Sequence, residues 1–407
     1  MERKFGLLGH KLGHSWSPQI HGILADYEYR LYEVAPEALG HFLETTDLAG
    51  MNVTIPYKVQ VLPYCAELSD VARRIGSVNT LVRTPEGWRG DNTDYAGFRY
   101  LVESTGVDVA GRKALVFGTG GAALAIRGTL ADMGAGQIVS ISRSGPDNYG
   151  NLGRHADAQI LVNTTPLGMY PDTGTAPASL RDFPRCEAVF DVVYNPQRTA
   201  LLLEAETLGI PHAGGLGMLV EQARRSAEQF LGHGLADEQV VEIMSTLSRQ
   251  MENIVLIGMP GCGKSTVGRK LAKALGRPFI DADSEIVKRA GVTIPEIFAA
   301  QGEEGFRAME TAVLAELGKG SGAVIATGGG CITRAENYPH LHQNARIIWL
   351  KRPLDVLPTN GRPLSQQNSL QTLYEQRKDK YAAFADVTVS NGGSLSETLD
   401  LIMEALQ

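Results

Sequence analysis

Short apolar runs recur along the chain, and most are followed by a polar or glycine-rich turn and then by residues with helical spacing. Alternating strands and helices are typical of α/β folds, in which helices cover the faces of a mostly parallel sheet. The runs that predict strands cover residues 5–9, 51–55, 114–117, 137–142, 160–163, 188–193 and 253–257. Residues 218–249 instead repeat apolar side chains at helical spacing, which predicts helices.

Two of the predicted strands lead directly into glycine loops, and each loop precedes a predicted helix. The first loop, residues 118–123, places Gly118, Gly120 and Ala123 at the spacing of a dinucleotide-binding turn. The second loop, residues 258–266, is a complete G-x-x-x-x-G-K-[ST] phosphate loop. Because the two loops differ in spacing, they predict two different nucleotide-binding domains rather than a duplication.

Length and charge narrow the class of protein. A chain of 407 residues is long enough for two or three domains, and the polar stretch 245–252 is the expected junction. The net charge of −7 argues against a nucleic-acid-binding protein. No apolar run reaches the ~18 residues of a membrane span, and no apolar run of signal-peptide length follows the first residues.

The four cysteines are scattered, without the C-x-x-C pair that suggests a zinc site or a disulfide framework. They are Cys65, Cys186, Cys262 and Cys331. This distribution predicts reduced thiols in a cytoplasmic protein. The expected partners are small-molecule substrates, with neither nucleic acid nor a membrane among them, and the oligomeric state stays open.

Polar residues stand at the ends of several predicted strands in the first 250 residues, where a ligand of an α/β sheet would meet them. The segments are 15–18, 52–58, 77–80, 90–94 and 214–222. The hydroxyls of Ser15 and Ser17, just before a predicted helix, suit a small anion such as a carboxylate. Seen alone, such a pair more often caps the helix.

In this order the segments carry the S-x-S-P, N-V-T-x-P-x-K, V-N-T, G-D-N-T-D and G-L-G-M-L-x-x-Q patterns of shikimate dehydrogenase. Together with the G-x-G-G-A loop, they make residues 1 to about 245 resemble that family. The resemblance implies reversible reduction of 3-dehydroshikimate to shikimate with NADPH. It also implies a substrate lobe of about 1–101 and 218–245 and an NADP lobe of about 102–217. Trp16 departs from the lysine or other polar residue that the family commonly has there.

The same resemblance implies the roles of individual residues. Ser15 and Ser17 would hold the substrate carboxylate, and Lys58 and Asp94 would form the catalytic pair. The residues that would bind or adjoin the substrate ring are Asn52, Thr54, Asn79, Tyr194 and Gln222. The pair fits the reaction, since a lysine ammonium can protonate the alkoxide left by hydride delivery while a carboxylate keeps that ammonium in place.

The first glycine loop predicts the cofactor site. Its candidate residues are Gly118, Gly120, Gly121 and Ala122. About 20 residues further on, where an NAD enzyme has Asp or Glu, the predicted strand ends in Ser142 and Arg143. A cation beside hydroxyl groups suits a 2′-phosphate, which favours NADP(H) over NAD.

The phosphate loop predicts an ATP site in the C-terminal half. Its residues are Gly258, Gly261, Cys262, Gly263, Lys264, Ser265 and Thr266. Backbone amides would cradle the phosphates, Lys264 would reach the β- and γ-phosphates, and Ser265 would bind Mg²⁺. Asp281 and Asp283 end the next strand, where one carboxylate could serve Mg²⁺ and the other an acceptor hydroxyl. Three separated arginines suggest an anionic substrate: Arg307, Arg362 and Arg377.

With the F-R-x-x-E, G-G-G and R-P-L patterns that follow, residues 253 to about 407 resemble shikimate kinase. This resemblance implies that Asp283 binds and activates the shikimate hydroxyl and that Asp281 supports Mg²⁺. It assigns the carboxylate to Arg307 and Arg377, the face of the ring to Gly329 and Gly330, and the transferring phosphoryl group to Arg362 in the lid.

The lid departs from the family pattern. It is shorter than usual and carries Pro358 where many members have an arginine that stacks on adenine. The contacts of adenine therefore stay open, with Asn391 as a candidate residue of the adenine loop.

The predicted fold is α/β in two parts. Residues 1–250 form a substrate-binding α/β lobe and a Rossmann-like NADP lobe, and residues 251–407 form a P-loop kinase domain with a parallel sheet. The predicted function is a bifunctional enzyme of the shikimate pathway, which reduces 3-dehydroshikimate with NADPH and then phosphorylates shikimate with ATP and Mg²⁺. Two alternatives stay open: a quinate/shikimate dehydrogenase that uses NAD, fused to the kinase, or a regulatory binding protein with one inactive site.

Overall fold

A computed structural model describes residues 3–13, 15–357 and 370–406. It divides into two compact units, Met1–Leu247 and Ser248–Gln407. The division falls inside the α-helix Glu238–Met251, within the polar stretch expected as the junction. The first unit contains two sheets, each of which forms the centre of one lobe, and the second unit contains one sheet.

The first lobe is built on a six-stranded mixed sheet with the order β2-β1-β3-β5-β6-β4. Its strands are β1 (Lys4–Gly9), β2 (Glu28–Glu33), β3 (Gly50–Val53), β4 (Cys65–Leu68), β5 (Thr80–Thr84) and β6 (Gly87–Asp91). Its helices are α1 (Ser17–Leu24), α2 (Leu39–Thr45), α3 (Asp70–Ile75) and α4 (Asp94–Glu103). Antiparallel pairing sets Asn52 opposite Thr80, and Thr80 opposite Asp91, so three of the polar motifs meet at one end of the sheet.

A buried core holds that end of the sheet in place. All four residues of β3 are buried, and Met51 packs with Leu43, Tyr57 and Trp88 in one apolar cluster. Fully burying side chains of this size contributes about 1.5–3 kcal/mol each, which makes the strand a firm base for the polar residues at its end.

The second lobe is built on a five-stranded parallel sheet with the order β11-β10-β9-β7-β8. Its strands are β7 (Lys113–Phe117), β8 (Gln137–Ile141), β9 (Ile160–Asn163), β10 (Ala188–Asp191) and β11 (His212–Gly214), and its helices are α5 (Gly121–Asp132) and α6 (Ala200–Thr207). Every residue of β9 and β10 is buried, as expected for a parallel sheet covered on both faces.

Two helices follow the second sheet, α7 (Leu216–Leu231) and α8 (Glu238–Met251). Their apolar faces return to the first lobe, where Val220 and Ala223 share a cluster with Ile20 and Leu24 of α1. This packing brings the Gly214–Gln222 segment back to the lobe that carries the other polar motifs.

The second unit is built on a parallel sheet with the order β13-β14-β12-β15-β16. Its strands are β12 (Asn253–Ile257), β13 (Phe279–Asp281), β14 (Val324–Ala326), β15 (Ala345–Lys351) and β16 (Val387–Ser390). Its helices are α9 (Lys264–Leu275), α10 (Ala282–Ala290), α11 (Ile294–Lys319), α12 (Asn337–His342), α13 (Leu370–Phe384) and α14 (Leu395–Ala405). The central strand β12 is buried along its whole length and leads into the phosphate loop.

The α/β fold expected from the sequence is confirmed, with the refinement that the first sheet is mixed rather than parallel. Short 3-10 helices connect several elements: Pro36–Ala38, Leu62–Tyr64, Leu152–His155, Leu180–Asp182, Cys331–Thr333 and Leu354–Val356. In the part of the chain that the structure describes, no helix is both long and apolar enough to cross a membrane.

Candidate active sites

Lys58 and Asp94 meet in the first lobe. Lys58 lies in the turn after β3, and Asp94 is the first residue of α4. Lys58 Nζ donates to Asp94 Oδ2 over 2.5 Å, and the two side chains are only 15% and 7% exposed. Asn79 Nδ2 donates to the other oxygen, Asp94 Oδ1, over 3.0 Å. Both carboxylate oxygens are therefore held, and the ammonium has a fixed position.

The amide of Asn79 cannot turn over, because its oxygen is also held. Asn79 Oδ1 accepts from the Thr93 backbone N–H over 2.7 Å and from Thr80 Oγ1 over 3.0 Å. A backbone N–H can only donate, so it fixes which end of the amide is oxygen. The nitrogen must then face Asp94.

The residues expected around the substrate lie on several elements of the same unit. Ser15 Oγ donates to Ser17 Oγ over 3.1 Å immediately before α1 begins. Asn52 is buried in β3, with its Nδ2 3.3 Å from Thr80 Oγ1. Through Thr80, Asn52 joins the same polar cluster as Asn79 and Asp94.

The other three expected substrate residues are less directly connected. Gln222 lies in α7, where its Nε2 donates to the Leu219 carbonyl over 2.8 Å. Thr54 follows β3, and Tyr194 follows β10, where burial raises its pKa. None of the hydrogen bonds among the described residues joins these three to Lys58 or Asp94, so their roles stay predictions.

The first glycine loop lies beside the catalytic lysine expected from the sequence. Gly120 is the N-cap of α5, and Gly121 is its first residue. The first backbone N–H groups of a helix have no intrahelical partner and favour an anion such as a phosphate, so those of Gly121 and Ala122 suit this role. A Cβ added at Gly121 would lie 2.9 Å from Lys58 Cβ and 3.1 Å from Ser77 Oγ, so only glycine allows this approach.

The residues expected to bind the 2′-phosphate stand at the same edge of the second sheet. Ser142 directly follows β8, which pairs with β7, and the Gly118 N–H donates to the Ile141 carbonyl over 2.8 Å. Ser142 Oγ accepts from the Gly145 N–H over 2.8 Å, and Arg143 is exposed. The arrangement leaves the guanidinium accessible to an anion next to the glycine loop.

The phosphate loop and α9 form one wall of a cavity of about 710 Å³ in the second unit. Lys264 is 92% buried, and its Nζ donates to the carbonyls of Gly258 and Met259 over 2.8 and 3.1 Å. The residues expected from the sequence that line the cavity are Gly261, Gly263, Lys264, Ser265, Thr266, Asp281, Asp283, Arg307, Gly329, Gly330 and Arg377. Most of the kinase site expected from the sequence therefore converges on one space.

Two carboxylates enter this cavity in different environments. Asp281 ends β13 and accepts from Ser265 Oγ over 2.7 Å. Asp283 is the second residue of α10, and its buried Oδ1 has no hydrogen-bond partner among the described residues. Burial, and next the charge of Asp281, raise the pKa of Asp283, while Lys264 and Arg307 act in the opposite direction.

Two of the arginines expected from the sequence also line this cavity, Arg307 and Arg377. Arg307 Nη1 donates to Glu310 Oε2 over 2.7 Å, and Arg307 Nη2 donates to Glu303 Oε1 over 3.2 Å. A Cβ at Gly330 would overlap the Arg307 guanidinium, which explains the glycine. Arg377, on α13, donates from Nη1 to the Gly329 carbonyl over 3.1 Å. Both arginines are thus held against the G-G-G segment.

Two further expectations for the nucleotide site concern the lid and Asn391. Arg362 and Pro358 of the predicted lid lie outside the described residues, which leave out 358–369. Asn391 is buried, and its Nδ2 donates to the Cys262 carbonyl of the phosphate loop over 2.5 Å. Thr398 Oγ1 donates to Asn391 Oδ1 over 2.8 Å, so both ends of this amide are held within the protein.

The N-terminal region is similar to shikimate dehydrogenase (NADP(+)) of Shouchella clausii, with 35% identity over 260 residues, 57% of this chain and 94% of the relative. The shikimate dehydrogenase (NADP(+)) of Salinibacter ruber is 37% identical over 271 residues, 58% of this chain and 95% of the relative. The chain belongs to the shikimate dehydrogenase family.

Solved shikimate dehydrogenases have the same fold. The chorismate mutase/shikimate 5-dehydrogenase fusion protein of Clostridium acetobutylicum is 34% identical, with a TM-score of 0.57, over 61% of this chain and 97% of that one. Shikimate 5-dehydrogenase of Thermus thermophilus, solved in complex with NADP(H) and shikimate, is 30% identical, with a TM-score of 0.54, over 60% of this chain and 99% of that one.

Two family models match separate parts of the chain. Residues 7–81 match the shikimate dehydrogenase substrate binding domain, and residues 260–407 match shikimate kinase. A shikimate dehydrogenase region and a shikimate kinase domain therefore follow each other in one chain, and both resemblances expected from the motifs are confirmed.

The shikimate dehydrogenase cluster and the kinase cavity both contain residues that were not assigned from the sequence. Thr80 and Thr93 hold Asn79, and Glu310 holds Arg307. Arg352 also lines the kinase cavity. Glu310 could have been found, since it stands three residues after Arg307 in the F-R-x-x-E pattern and therefore on the same helical face.

Proposed function

We propose that the chain catalyses two consecutive reactions. The first unit reduces 3-dehydroshikimate to shikimate with NADPH, and the second transfers the γ-phosphoryl group of ATP to shikimate to give shikimate 3-phosphate. The observation that carries the proposal is that the described residues bring the parts of each reaction centre together: the 2.5 Å Lys58–Asp94 pair beside a dinucleotide loop, and a phosphate loop in one cavity with Asp283.

In the reduction, NADPH supplies a hydride when bound. The carbon of the substrate ketone accepts the hydride, and Lys58 Nζ transfers a proton to the oxygen, so the carbonyl becomes a hydroxyl. Asp94 holds the ammonium in place, and Asn79 holds Asp94. Proton donation from a positioned group of this kind contributes about 10²–10⁴ in rate.

The cofactor preference follows from the charge at the end of β8. The exposed Arg143 and the hydroxyl of Ser142 suit a 2′-phosphate, and neither residue offers the carboxylate that binds the ribose hydroxyls of NAD. The relatives named above are NADP(+) enzymes, which supports the same assignment. We therefore assign NADP(H) to this site.

In the phosphoryl transfer, Asp283 Oδ1 accepts the proton of the shikimate hydroxyl. The hydroxyl oxygen bonds to the γ-phosphorus, the bond from that phosphorus to the bridging oxygen breaks, and ADP leaves. Lys264 and the loop amides stabilise the charge on the phosphates. Arg307 and Arg377, which line the same cavity, attract the carboxylate of shikimate.

Mg²⁺ is part of the proposed kinase site. Ser265 and Asp281 offer a hydroxyl and a carboxylate oxygen that are already 2.7 Å apart, and oxygen ligands of this kind suit Mg²⁺. These two residues would hold the ion, which would neutralise charge on the β- and γ-phosphates.

A coupled assay tests the whole proposal. Purified full-length chain is given 3-dehydroshikimate, NADPH, ATP and Mg²⁺, and both NADPH oxidation and shikimate 3-phosphate are measured. Without ATP, the reaction should stop at shikimate. Absence of shikimate 3-phosphate from a chain that binds both nucleotides would overturn it. Comparing kcat/KM for shikimate and quinate with NADP and NAD decides the substrate and cofactor of the first unit.

A further inference from the structure

Asn52 is backed by a layer of side chains that no sequence motif marks, of which His21 and Ser226 are buried and Tyr29 is half-buried. Tyr29, on the neighbouring part of the sheet, donates from its hydroxyl to Asn52 Oδ1 over 2.8 Å. Ser226 Oγ, on α7, lies 3.4 Å from the same oxygen, but its single proton is directed to the nearer Ala223 carbonyl over 2.9 Å. The His21 ring stacks on Tyr29 with the ring centroids 3.9 Å apart and an interplanar angle of 8°. Three separate elements therefore meet behind one amide.

The surroundings of Asn52 fix which end of its amide is oxygen. Asn52 Nδ2 lies 3.5 Å from the Asn79 carbonyl and 3.3 Å from Thr80 Oγ1. A carbonyl can only accept, so the atom that faces it must be the nitrogen. The oxygen must then face Tyr29, and the hydroxyl of Tyr29 must be the donor.

We propose that Tyr29 is a positioning residue of the dehydrogenase site, which holds the Asn52 amide so that it presents N–H groups, and not its oxygen, to the substrate. The inference deepens the proposed function and rests on it, since the contact between Asn52 and the substrate is part of that proposal. Without the Tyr29 hydroxyl, the Asn52 oxygen loses the shorter of its two contacts with hydroxyl groups, at 2.8 Å against 3.4 Å to Ser226.

The stack keeps the Tyr29 hydroxyl as a donor. Burial raises the pKa of Tyr29 well above its ordinary value, so the hydroxyl retains its proton. Burial also lowers the pKa of His21 to about 3, against a smaller opposing effect of Asn52, so the stacked ring is neutral at physiological pH. The Nδ1 of His21 and the Tyr27 hydroxyl are 2.6 Å apart, which fixes the ring in the stack. The donor is therefore held on a rigid surface.

The experiment is Tyr29→Phe, which removes one oxygen and leaves the ring. We expect KM for 3-dehydroshikimate to rise about three- to tenfold, the value of one neutral hydrogen bond, with less than a twofold change in kcat. The matched control is Tyr32→Phe on the same strand, whose ring packs against Phe42 away from Asn52 and whose KM should not change. Urea unfolding followed by the fluorescence of Trp16 and Trp88 in a Trp349→Phe background reports whether the first unit is folded.

The readout that separates positioning from general stability is a double-mutant cycle. In an Asn52→Ala background, Tyr29→Phe should have no further effect on KM, because its only target is gone. An equal rise in both backgrounds would overturn the inference, as would an unchanged KM in the single variant. If Tyr29→Phe does not fold, Tyr29→His replaces it, since it keeps a ring that can stack on His21 but is too short to reach Asn52. A rise in KM that disappears in the Asn52→Ala background supports the inference, and no rise overturns it.

The two proposals fail in different ways. A wild-type chain without dehydrogenase activity would refute the proposed function. A wild-type chain that is active, with Tyr29→Phe indistinguishable from it, would refute only the role of Tyr29.

Discussion

Asp94 and Asp283 stand at the centres of the two sites, and their surroundings differ. Both oxygens of Asp94 accept hydrogen bonds, one from the Lys58 ammonium and one from Asn79. Asp283 Oδ1 is buried and accepts none from any residue that the structure describes. Both oxygens of Asp94 thus have a hydrogen-bond donor within the protein, whereas Asp283 Oδ1 has none among the described residues.

The difference reflects the chemistry that each carboxylate is proposed to support. Asp94 has to hold a proton donor, and for this it must be charged and paired. Asp283 has to accept a proton from a hydroxyl, and a carboxylate accepts a proton better when its pKa is raised towards the working pH. Burial raises the pKa of Asp283 in this way, and a substrate hydroxyl would occupy the oxygen that is otherwise unsatisfied.

The largest effect is expected from Lys58→Ala. It removes the proton donor and leaves the buried Asp94 without its counter-charge, so kcat for reduction should fall by about 10³-fold or more. Kinase activity on supplied shikimate should not change. The measurement is the initial rate of NADPH oxidation together with the rate of ADP release from the same preparation.

Lys113→Ala is the matched control for Lys58. Lys113 also forms a short pair with an aspartate, at 2.6 Å to Asp157, and its side chain is as little exposed as that of Lys58, at 13%. The pair lies in the second lobe, and its aspartate is 55% exposed. The control should retain reduction. If Lys58→Ala also abolishes kinase activity in folded protein, the two centres are not independent and the comparison between them fails.

Asp283→Asn is expected to have the next largest effect. It keeps the shape of the side chain but removes the proton acceptor, so kcat for phosphorylation should fall by about 10²–10³-fold while reduction is unaffected. Shikimate 3-phosphate formation at saturating ATP is the measurement. Asp400→Asn, at an exposed position of α14, is the control and should be fully active. Retention of kinase activity by Asp283→Asn would show that the unsatisfied oxygen is not the proton acceptor.

Asp191 combines a feature of each carboxylate. Both of its oxygens accept hydrogen bonds, as in Asp94, and burial raises its pKa, as in Asp283. Its Oδ1 accepts from Asn163 Nδ2 and the Val193 N–H, each over 3.0 Å, and its Oδ2 accepts from Thr199 Oγ1 over 2.7 Å. These partners are neutral, and burial outweighs them and raises the pKa of Asp191 to about 7. Hydrogen bonds from neutral groups therefore do not offset the effect of burial on the pKa of Asp191.

Stability should depend on the pH through Asp191. Its pKa is higher in the folded state than its ordinary value of 3.8, so the folded state keeps a proton that the unfolded state releases as the pH rises from about 4 to 7. The first unit should therefore lose stability across that window, by about 2–3 kcal/mol between pH 5 and pH 7. Asp191→Asn cannot titrate and should remove this part of the pH dependence.

Urea unfolding from pH 4 to pH 8 tests this prediction. The chain has three tryptophans, and Trp16 and Trp88 lie in the first unit, so fluorescence in a Trp349→Phe background reports that unit alone. Asp108→Asn, at an exposed position, is the control and should follow the parent. Parallel curves for Asp191→Asn and its parent would contradict the raised pKa.

The sequence was sufficient for the fold class, and it singled out Lys58, Asp94, Lys264 and Asp283 as candidates because they stand in short patterns of fixed spacing. It was not sufficient for the residues that hold them. Ser226 is 174 positions from Asn52, and Tyr29 is 23 positions from it, so only the folded sheet and α7 bring them together. Contacts of that range leave no local periodicity in the chain.

Asn391 is a residue whose place in the chain was clear from the sequence, whereas its contacts were not. From its place after β16 the sequence made Asn391 a candidate residue of the adenine loop, but the direction of its side chain could not be derived from a strand end. In the structure, Asn391 Nδ2 donates to the Cys262 carbonyl and Oδ1 accepts from Thr398. The side chain thus joins α14 to the phosphate loop.

The smallest effect is expected from Asn391→Ala, which tests this support of the loop. Loss of one buried hydrogen bond to the loop should raise KM for ATP about three- to tenfold and leave KM for shikimate unchanged. Because Asn391 contacts the loop and not the base, the ratio of kcat/KM for ATP to kcat/KM for GTP should stay the same. Thr398→Val, which removes the donor to Asn391 Oδ1, should raise KM for ATP by a smaller factor. A selective loss of preference for ATP over GTP would instead return Asn391 to the adenine contact that the sequence suggested. If the preference for ATP over GTP is lost, Asn391 resembles Asp283, whose oxygen is proposed to find its partner in the ligand. If the preference is kept, Asn391 resembles Asp94, whose partners belong to the protein.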